Sequence, residues 1–440
     1  MIEIELLALR PGFGWVPETR PWVWIRRTYC AVQTSERGSL NGCSSRRDIG
    51  LTGIVGRGSI ESTRISVLSA YPFHMFEQAK QMERLGALER LVTAVPKWRT
   101  GVSGSRVRTR LGMSTTRYVV RRVLPRSDHF LSRQVVRVFD GWSAGQLGNA
   151  NVVSALSGFA TTALERSASQ GVATCCDRGS WHILEQKEVL DAEAVRVGIP
   201  PVYFDPYMVD RELREYALVD RIVVPSEPAR LSFIRRGIEP SKVVKVPYGV
   251  DVSAFTPEHG ERQPGAIVSV AAVGLTKGQR YLLDAFRSLR SARASLTLVG
   301  PVDPGWAAQL DLDRGDVRVI GAVARARVIE ELQRGSIFVL ASLLDGFGLV
   351  IAQAMACGLP VIATEATGVR ELVDDGVEGF VVPAGDSRSL AEAMTVLLDD
   401  PVRAAEMGRA GRARVESLGG WDEYGLRLLQ VFDGARAEHA

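Results

Sequence analysis

Cysteine and histidine are scarce in this chain, five of each among 440 residues. Cys30, Cys43, Cys175, Cys176 and Cys357 form no C-x-x-C pair and have no histidine at ligand spacing, which argues against a zinc site and against a disulfide framework. A reducing, cytoplasmic setting is the expectation that follows. Long apolar runs are missing too. None approaches the roughly eighteen residues that span a bilayer, and the first residues show no charged segment followed by an apolar one. The expected protein is soluble, or at most peripheral on the inner face of a membrane. Charge of one sign is also in short supply, with a formal net charge of only +4, so attraction to an anionic partner has to come from a local patch.

Apolar content is ample: 46% hydrophobic residues over this length exceed what one core organises and suggest two domains. Residues 1–62 hold Gly, Ser, Arg and scattered Trp without strand or helix period, as in "SERGSLNGCSSRRDIGLTG", and are expected to be a poorly ordered extension. From Arg64 the pattern changes. "RISVLSAY" is a buried-strand run, "FEQAKQMERLG" a helix ending at Gly86, and "LERLVTAVP" a return to strand. The alternation continues through "VVSALSG", "VATCCDRGS" and "RELREYALVDRIVVPS", the signature of a parallel sheet covered by helices. A first Rossmann-like domain is expected over 63–246. A second follows the Pro- and Gly-containing "VPYGVDVSAFTPEHGERQPG" and is expected over 247–420, with 421–440 a helix and tail crossing back onto the first.

Three blocks carry a resemblance that covers about 64–432. "DRIVVPSEPARLSFIRRGIEPSKVVKVPYGVDVSAFTP", "AVGLTKGQRYLLDAF" and "DGFGLVIAQAMACGLPVIAT" stand in the order and spacing of glycosyltransferase family 4, which the sequence resembles. The resemblance implies the α/β GT-B fold: two tandem Rossmann-like domains with a cleft between them. It further implies transfer of a sugar from a nucleoside diphosphate sugar, UDP- or GDP-linked, to a hydroxyl of a glycan or lipid-linked acceptor, with retention at the anomeric carbon. Neither a metal nor a cofactor beyond the donor is expected. The alternatives are a non-catalytic nucleotide-sugar or glycan-binding protein of the same fold, and a nucleotide-sugar epimerase.

The family usually shows two glutamates eight positions apart where this chain has Asp345 and Gln353. Asp345 lies in a loop after a strand, where ligands sit in open parallel sheets. By resemblance it accepts hydrogen bonds from sugar hydroxyls, and Gln353 holds the nucleotide ribose with an amide in place of a charge. Gly346, Phe347, Gly348 and Leu349 complete the donor loop, the glycines permitting close backbone approach. Lys277, after Gly274, is expected to stabilise the departing diphosphate. Upstream, Ala271 and Ala272 stand where the family often has a glycine and an arginine or serine. In the first domain His74, between a strand and a helix, is a catalytic candidate. Arg178, His182 and Glu185 cluster after "GVATCC" and either line the acceptor cleft or pack and cap, with Ser180 an alternative cap for the next helix.

Basic charge is concentrated from Lys97 to Arg137, eleven Lys and Arg against Asp128 alone. With Val119, Val120, Val123 and Leu124 among Arg117, Arg121 and Arg122, the stretch is expected either to hold an anionic membrane surface through an amphipathic helix or to form a solvated basic face. Nucleic acid is not an expected partner, because aromatics beyond Tyr118 are not interleaved with the cations.

Overall fold

The computed structural model describes residues 63–110, 128–257, 262–291, 293–312 and 315–439, without the side chains of 128–132. The expected extension 1–62 and the Val119–Leu124 helix lie outside the described residues.

Seven parallel strands form the first sheet: β1 (Ile65–Leu68), β2 (Leu88–Thr93), β3 (Val107–Thr109), β4 (Val152–Leu156), β5 (Ala173–Asp177), β6 (Arg221–Val224) and β7 (Val243–Lys245), in the order β3-β2-β1-β4-β5-β6-β7. Its helices are α1 (Met75–Arg84), α2 (Asp128–Ser143), α3 (Thr161–Ser169), α4 (Ile183–Val197), α5 (Pro206–Leu218) and α6 (Glu227–Arg235). The second sheet repeats the plan with β8 (Ala266–Val270), β9 (Ser295–Val299), β10 (Val317–Gly321), β11 (Ile337–Leu340), β12 (Val361–Thr364) and β13 (Gly379–Val382), in the order β10-β9-β8-β11-β12-β13. Around it lie α7 (Gln279–Ser288), α8 (Pro304–Ala307), α9 (Arg325–Arg334), α10 (Leu349–Ala356), α11 (Ser387–Asp399) and α12 (Pro401–Ser417). The last helix is α13 (Gly420–Ala437).

The strands are almost uniformly apolar because helices cover both faces. Along β11 successive side chains go to opposite sides. Phe338 and Leu340 join a cluster with Ile351, Met355 and Val415, while Ile337 and Val339 join Leu282, Leu390 and Met394. The first sheet is sandwiched likewise. α13 supplies part of that cover: Leu428, Leu429 and Phe432 pack with Ile65, Met75 and Val223. The last helix therefore packs on the first sheet, and the expected return of a C-terminal helix to the first domain is what the structure shows.

In each sheet the strand order reverses beside the first strand, between β1 and β4 and between β8 and β11. Loops leaving the carboxyl ends of neighbouring strands at such a reversal diverge to opposite faces and leave a crevice where ligands bind.

Candidate active site

Lys277 leaves β8 and Asp345 leaves β11, so the two come from either side of the reversal in the second sheet. Lys277 closes a short 3-10 turn, Leu275–Lys277, tied to the neighbouring loop by the Leu343 N–H donating to the Thr276 carbonyl at 2.8 Å. Gly278 follows with φ +63°, and a Cβ there would lie 2.0 Å from the Ala341 carbonyl oxygen. Only glycine permits both the left-handed turn and that approach to the end of β11. The lysine is thereby delivered to the carboxylate, Nζ donating to Asp345 Oδ2 at 2.7 Å. Buried Gln279 braces the turn from within, accepting from the Gly274 N–H at 3.2 Å and donating to the Ala272 carbonyl at 2.8 Å.

Asp345 is clamped on its other oxygen by its own loop. Oδ1 accepts from the backbone N–H groups of Phe347 and Gly348, at 3.2 and 3.0 Å. Burial works to raise the Asp345 pKa, but the Lys277 ammonium and the two N–H groups outweigh it and hold the carboxyl below its ordinary range. At neutral pH this is a charged pair, with side chains 14% and 18% exposed. Gly348 starts α10 at φ +71°, and Leu349 opens the helix that carries Gln353. Gln353 is 4% exposed. The Phe347 ring is buried edge-on to Tyr248, with centroids 5.4 Å apart, and Phe347 takes part in the donor loop through its N–H to Asp345.

The first domain presses on this loop. Trp181 donates from its indole to the Asp345 carbonyl at 3.2 Å, and the Ser226 hydroxyl donates to the Gly346 carbonyl at 2.5 Å. A Cβ at Gly346 would lie 1.8 Å from the Gly179 carbonyl oxygen, so backbone meets backbone. A third tie runs through Glu371, which accepts from Lys245 Nζ at 3.0 Å and from the Glu227 N–H at 2.9 Å. Ser226 and Lys245 lie in the block beginning "DRIVVPS" that carries the resemblance, although no contact with the second domain was expected of either, and Glu371 reads as an ordinary polar loop residue.

His74 lies after β1, at the reversal of the first sheet. Its Nε2 is 2.5 Å from Oδ1 of Asp177, the last residue of β5, and its ring stacks on Tyr248 at 4.6 Å. Among the described residues neither Asp177 Oδ2 nor the Tyr248 hydroxyl finds a hydrogen-bond partner, although both are buried. Sequence reading did not single out Asp177 or Tyr248. The signal for Asp177 was its place as the one carboxylate ending the apolar run "ATCC".

The remaining candidates are not gathered at this site. His182 is 2% exposed among Tyr216 and Phe233, with ring centroids 5.0 Å away in each case, and its Nδ1 caps α4 by accepting from the Leu184 N–H. Burial, then Arg236 and Arg178, push its pKa down to about 4, so it stays neutral as a packed cap. The expectation that it lines the cleft is therefore corrected. Ser180 does not cap the helix, because His182 does. Glu185 faces α6, pairing with Arg235 at 3.0 Å and Arg236 at 2.8 Å, and joins two helices of the first domain. Arg178 donates to the Trp181 carbonyl and Gln186 Oε1 and pairs with Glu212 at 3.3 Å, so it holds the Gly179–Trp181 loop in place. Among the described residues no group of three or more His, Cys, Asp or Glu side chains is placed to hold a metal ion.

Residues 265–400 match the family model described as Glycosyl transferases group 1. The chain is 32% identical over 255 residues to the D-inositol 3-phosphate glycosyltransferase of Kineococcus radiotolerans, a match covering 50% of this chain and 58% of that protein. It is 32% identical over 209 residues to the GDP-mannose-dependent monoacylated alpha-(1-6)-phosphatidylinositol monomannoside mannosyltransferase of Corynebacterium glutamicum, covering 42% and 55%. The matched region thus spans little more than half the length of these relatives. Among solved structures, sucrose-phosphate synthase from Thermosynechococcus elongatus superposes with a TM-score of 0.66 at 20% identity, over 86% of this chain and 100% of the other. Anabaena HepE in complex with UDP superposes with a TM-score of 0.60 at 17% identity, over 84% and 100%.

Proposed function

We infer that this chain, whose residues 265–400 are a group 1 glycosyl transferase domain on a GT-B fold, transfers a hexose from a nucleoside diphosphate sugar to a hydroxyl of a glycan or lipid-linked acceptor, with retention at the anomeric carbon. The carrying observation is the Lys277–Asp345 pair at the strand-order reversal of the second sheet. Such a crevice suits a dinucleotide-sized ligand. A fixed cation beside a fixed carboxylate offers one group for diphosphate and one for sugar hydroxyls. In this reading the ammonium turns from Asp345 towards the diphosphate as negative charge develops on the leaving oxygen. Asp345, held by two backbone N–H groups, keeps its orientation and accepts from the sugar. Gln353 holds the ribose diol. The leaving phosphate oxygen takes the proton of the incoming hydroxyl on the same face, so no enzymic nucleophile is required and the anomeric configuration is kept. His74, oriented by Asp177, stands on the acceptor side.

Support for the donor class comes from the GDP-mannose dependence named for one relative and the UDP bound to HepE. The test is a calorimetric panel of UDP-, GDP- and ADP-hexoses, followed by slow hydrolysis of whichever binds. One nucleotide series should bind and release its nucleoside diphosphate. Binding without turnover in the presence of acceptors would favour the non-catalytic alternative, and binding of none of them would overturn the reading.

For the acceptor we propose an anionic membrane setting. Trp98 is 78% exposed on the turn after β2, between exposed Lys97 and Arg99, with Arg106 and Arg110 also exposed. An aromatic side chain flanked by cations suits the headgroup layer, where each cation contributes about 1 kcal/mol. Co-sedimentation with vesicles of graded anionic content should rise with anionic lipid, fall with salt and weaken in Trp98→Ala. Indifference to lipid charge would return these residues to a solvated basic face.

A further inference from the structure

We propose that the second domain carries a separate binding site for an organic anion, a phosphate or carboxylate bearing an apolar body, on the face opposite the Lys277–Asp345 pair. A cavity of about 670 Å³ opens there at the amino-terminal ends of the strands: Gly265 precedes β8, Ser336 precedes β11 and Pro360 precedes β12. Lys277 lies beyond the other end of β8. Five residues at about 3.3 Å each put roughly 16 Å of strand between the two sites. The cavity volume falls in the range of about 300–1,000 Å³ common for small-molecule pockets.

Its chemistry is two-sided. Ile337, Pro360, Leu397 and Ala404 supply an apolar floor. Four arginines stand around it, Arg262, Arg293, Arg409 and Arg412, against one carboxylate, Glu416. Arg412 is already occupied. It pairs with Glu416 at 2.6 Å and donates to the carbonyls of Val252, Phe255 and Ala356, so its work is to hold the wall together. Arg262 differs. It donates to the Gly335 and Cys357 carbonyls at 3.2 and 2.6 Å and has no carboxylate partner among the described residues. Burial lowers its pKa from the ordinary value, as expected of a desolvated cation. Arg293 and Arg409 are exposed at the rim and form no ion pair with the described residues. Three guanidinium groups without a carboxylate partner among the described residues, set over an apolar floor, recognise an anion through the fork and the body of the ligand through the floor. Arg262 also bonds the carbonyl that follows α10, the helix whose first turn forms the donor loop, so a ligand here touches the far end of a donor-site element.

The test uses phenyl phosphate as probe, measured by calorimetry on the full chain with UDP and GDP present in excess to fill the donor crevice. One site should bind, weaken with salt, and lose at least tenfold in affinity in the double variant Arg293→Glu/Arg409→Glu, whose positions are exposed and leave the fold intact. Benzyl alcohol, the uncharged analogue, should bind far more weakly. Displacement of phenyl phosphate by soluble glucose 6-phosphate identifies a free organic phosphate as the ligand class, and displacement by phosphatidic acid vesicles alone identifies a lipid headgroup. Equal affinity in the double variant, or loss of the probe when the nucleotides are added, would overturn the proposal. The readout needs no transfer activity, so its failure is distinguishable from failure of the glycosyl transfer reading.

Discussion

Lys277→Ala is expected to lower sugar transfer by about two to three orders of magnitude, the scale of losing one preorganised charge donor at a developing anion. The geometry adds a second consequence. Asp345 stays buried when its cation is removed, keeping only the N–H groups of Phe347 and Gly348. Stranding one partner of a buried pair costs about 3 kcal/mol, at the lower end of the usual range because those two bonds remain. The sign in pH follows. A carboxylate whose folded pKa is lowered contributes stability above its unfolded value near 4, and loses it as pH falls through the folded value. In the wild type Asp345 is on the lowered side, so its contribution is lost only below about pH 4. In Lys277→Ala burial dominates and the pKa rises above the unfolded value, so the sign reverses: the stranded carboxylate destabilises the fold at neutral pH, and the variant recovers stability as pH falls through the raised value. Denaturation midpoints from pH 3 to 7 measure this. Adding Asp345→Asn to the lysine variant should restore much of the stability and none of the activity. Wild-type turnover in Lys277→Ala would remove the lysine from the mechanism; a midpoint with the pH profile of the wild type would show that the pair is not coupled.

Gly346→Ala is expected to cut kcat/KM for the donor by about a hundredfold, the scale of a misplacement of roughly 1 Å at a reacting centre. The added methyl would meet the Gly179 carbonyl at 1.8 Å. Neither partner is a flexible side chain, so the strain is relieved only by moving one loop or by parting the domains. Either movement disturbs the Trp181 and Ser226 bonds to the donor loop. The cores within each domain are untouched, so the melting temperature should change little. Gly434→Ala is the control: nothing lies within 4 Å of a Cβ there, the position is inside α13, and activity should be retained. Unaltered kinetics in Gly346→Ala, with unaltered small-angle scattering, would show that the contact between the loops is dispensable.

The alternation of elements was legible because it is local. Doubly covered parallel strands must be apolar on both sides, as "SIFVL" and "PVIAT" are, and the helices between them keep their own period. The Lys277–Gly278 pair and the Asp345 loop were legible for a related reason: glycine beside a polar residue at a strand end marks a backbone turn that the chain makes with little help from elsewhere. What no local pattern contained was the company each polar side chain keeps. Asp345 and Lys277 are 68 positions apart, and His74 and Asp177 are 103. His182 and His74 look alike in sequence, each a histidine just ahead of a helix. Tyr216 and Phe233, arriving from other elements, close over the first and make it a packed cap, whereas Asp177 and Tyr248 meet the second beside the donor loop. The sequence by itself determined the two sheets, their helices and the loops able to approach a ligand, since these depend on period and backbone freedom. The tertiary structure alone decided which polar residues face the crevice and which are sealed, since that depends on apolar surface brought from a hundred residues away.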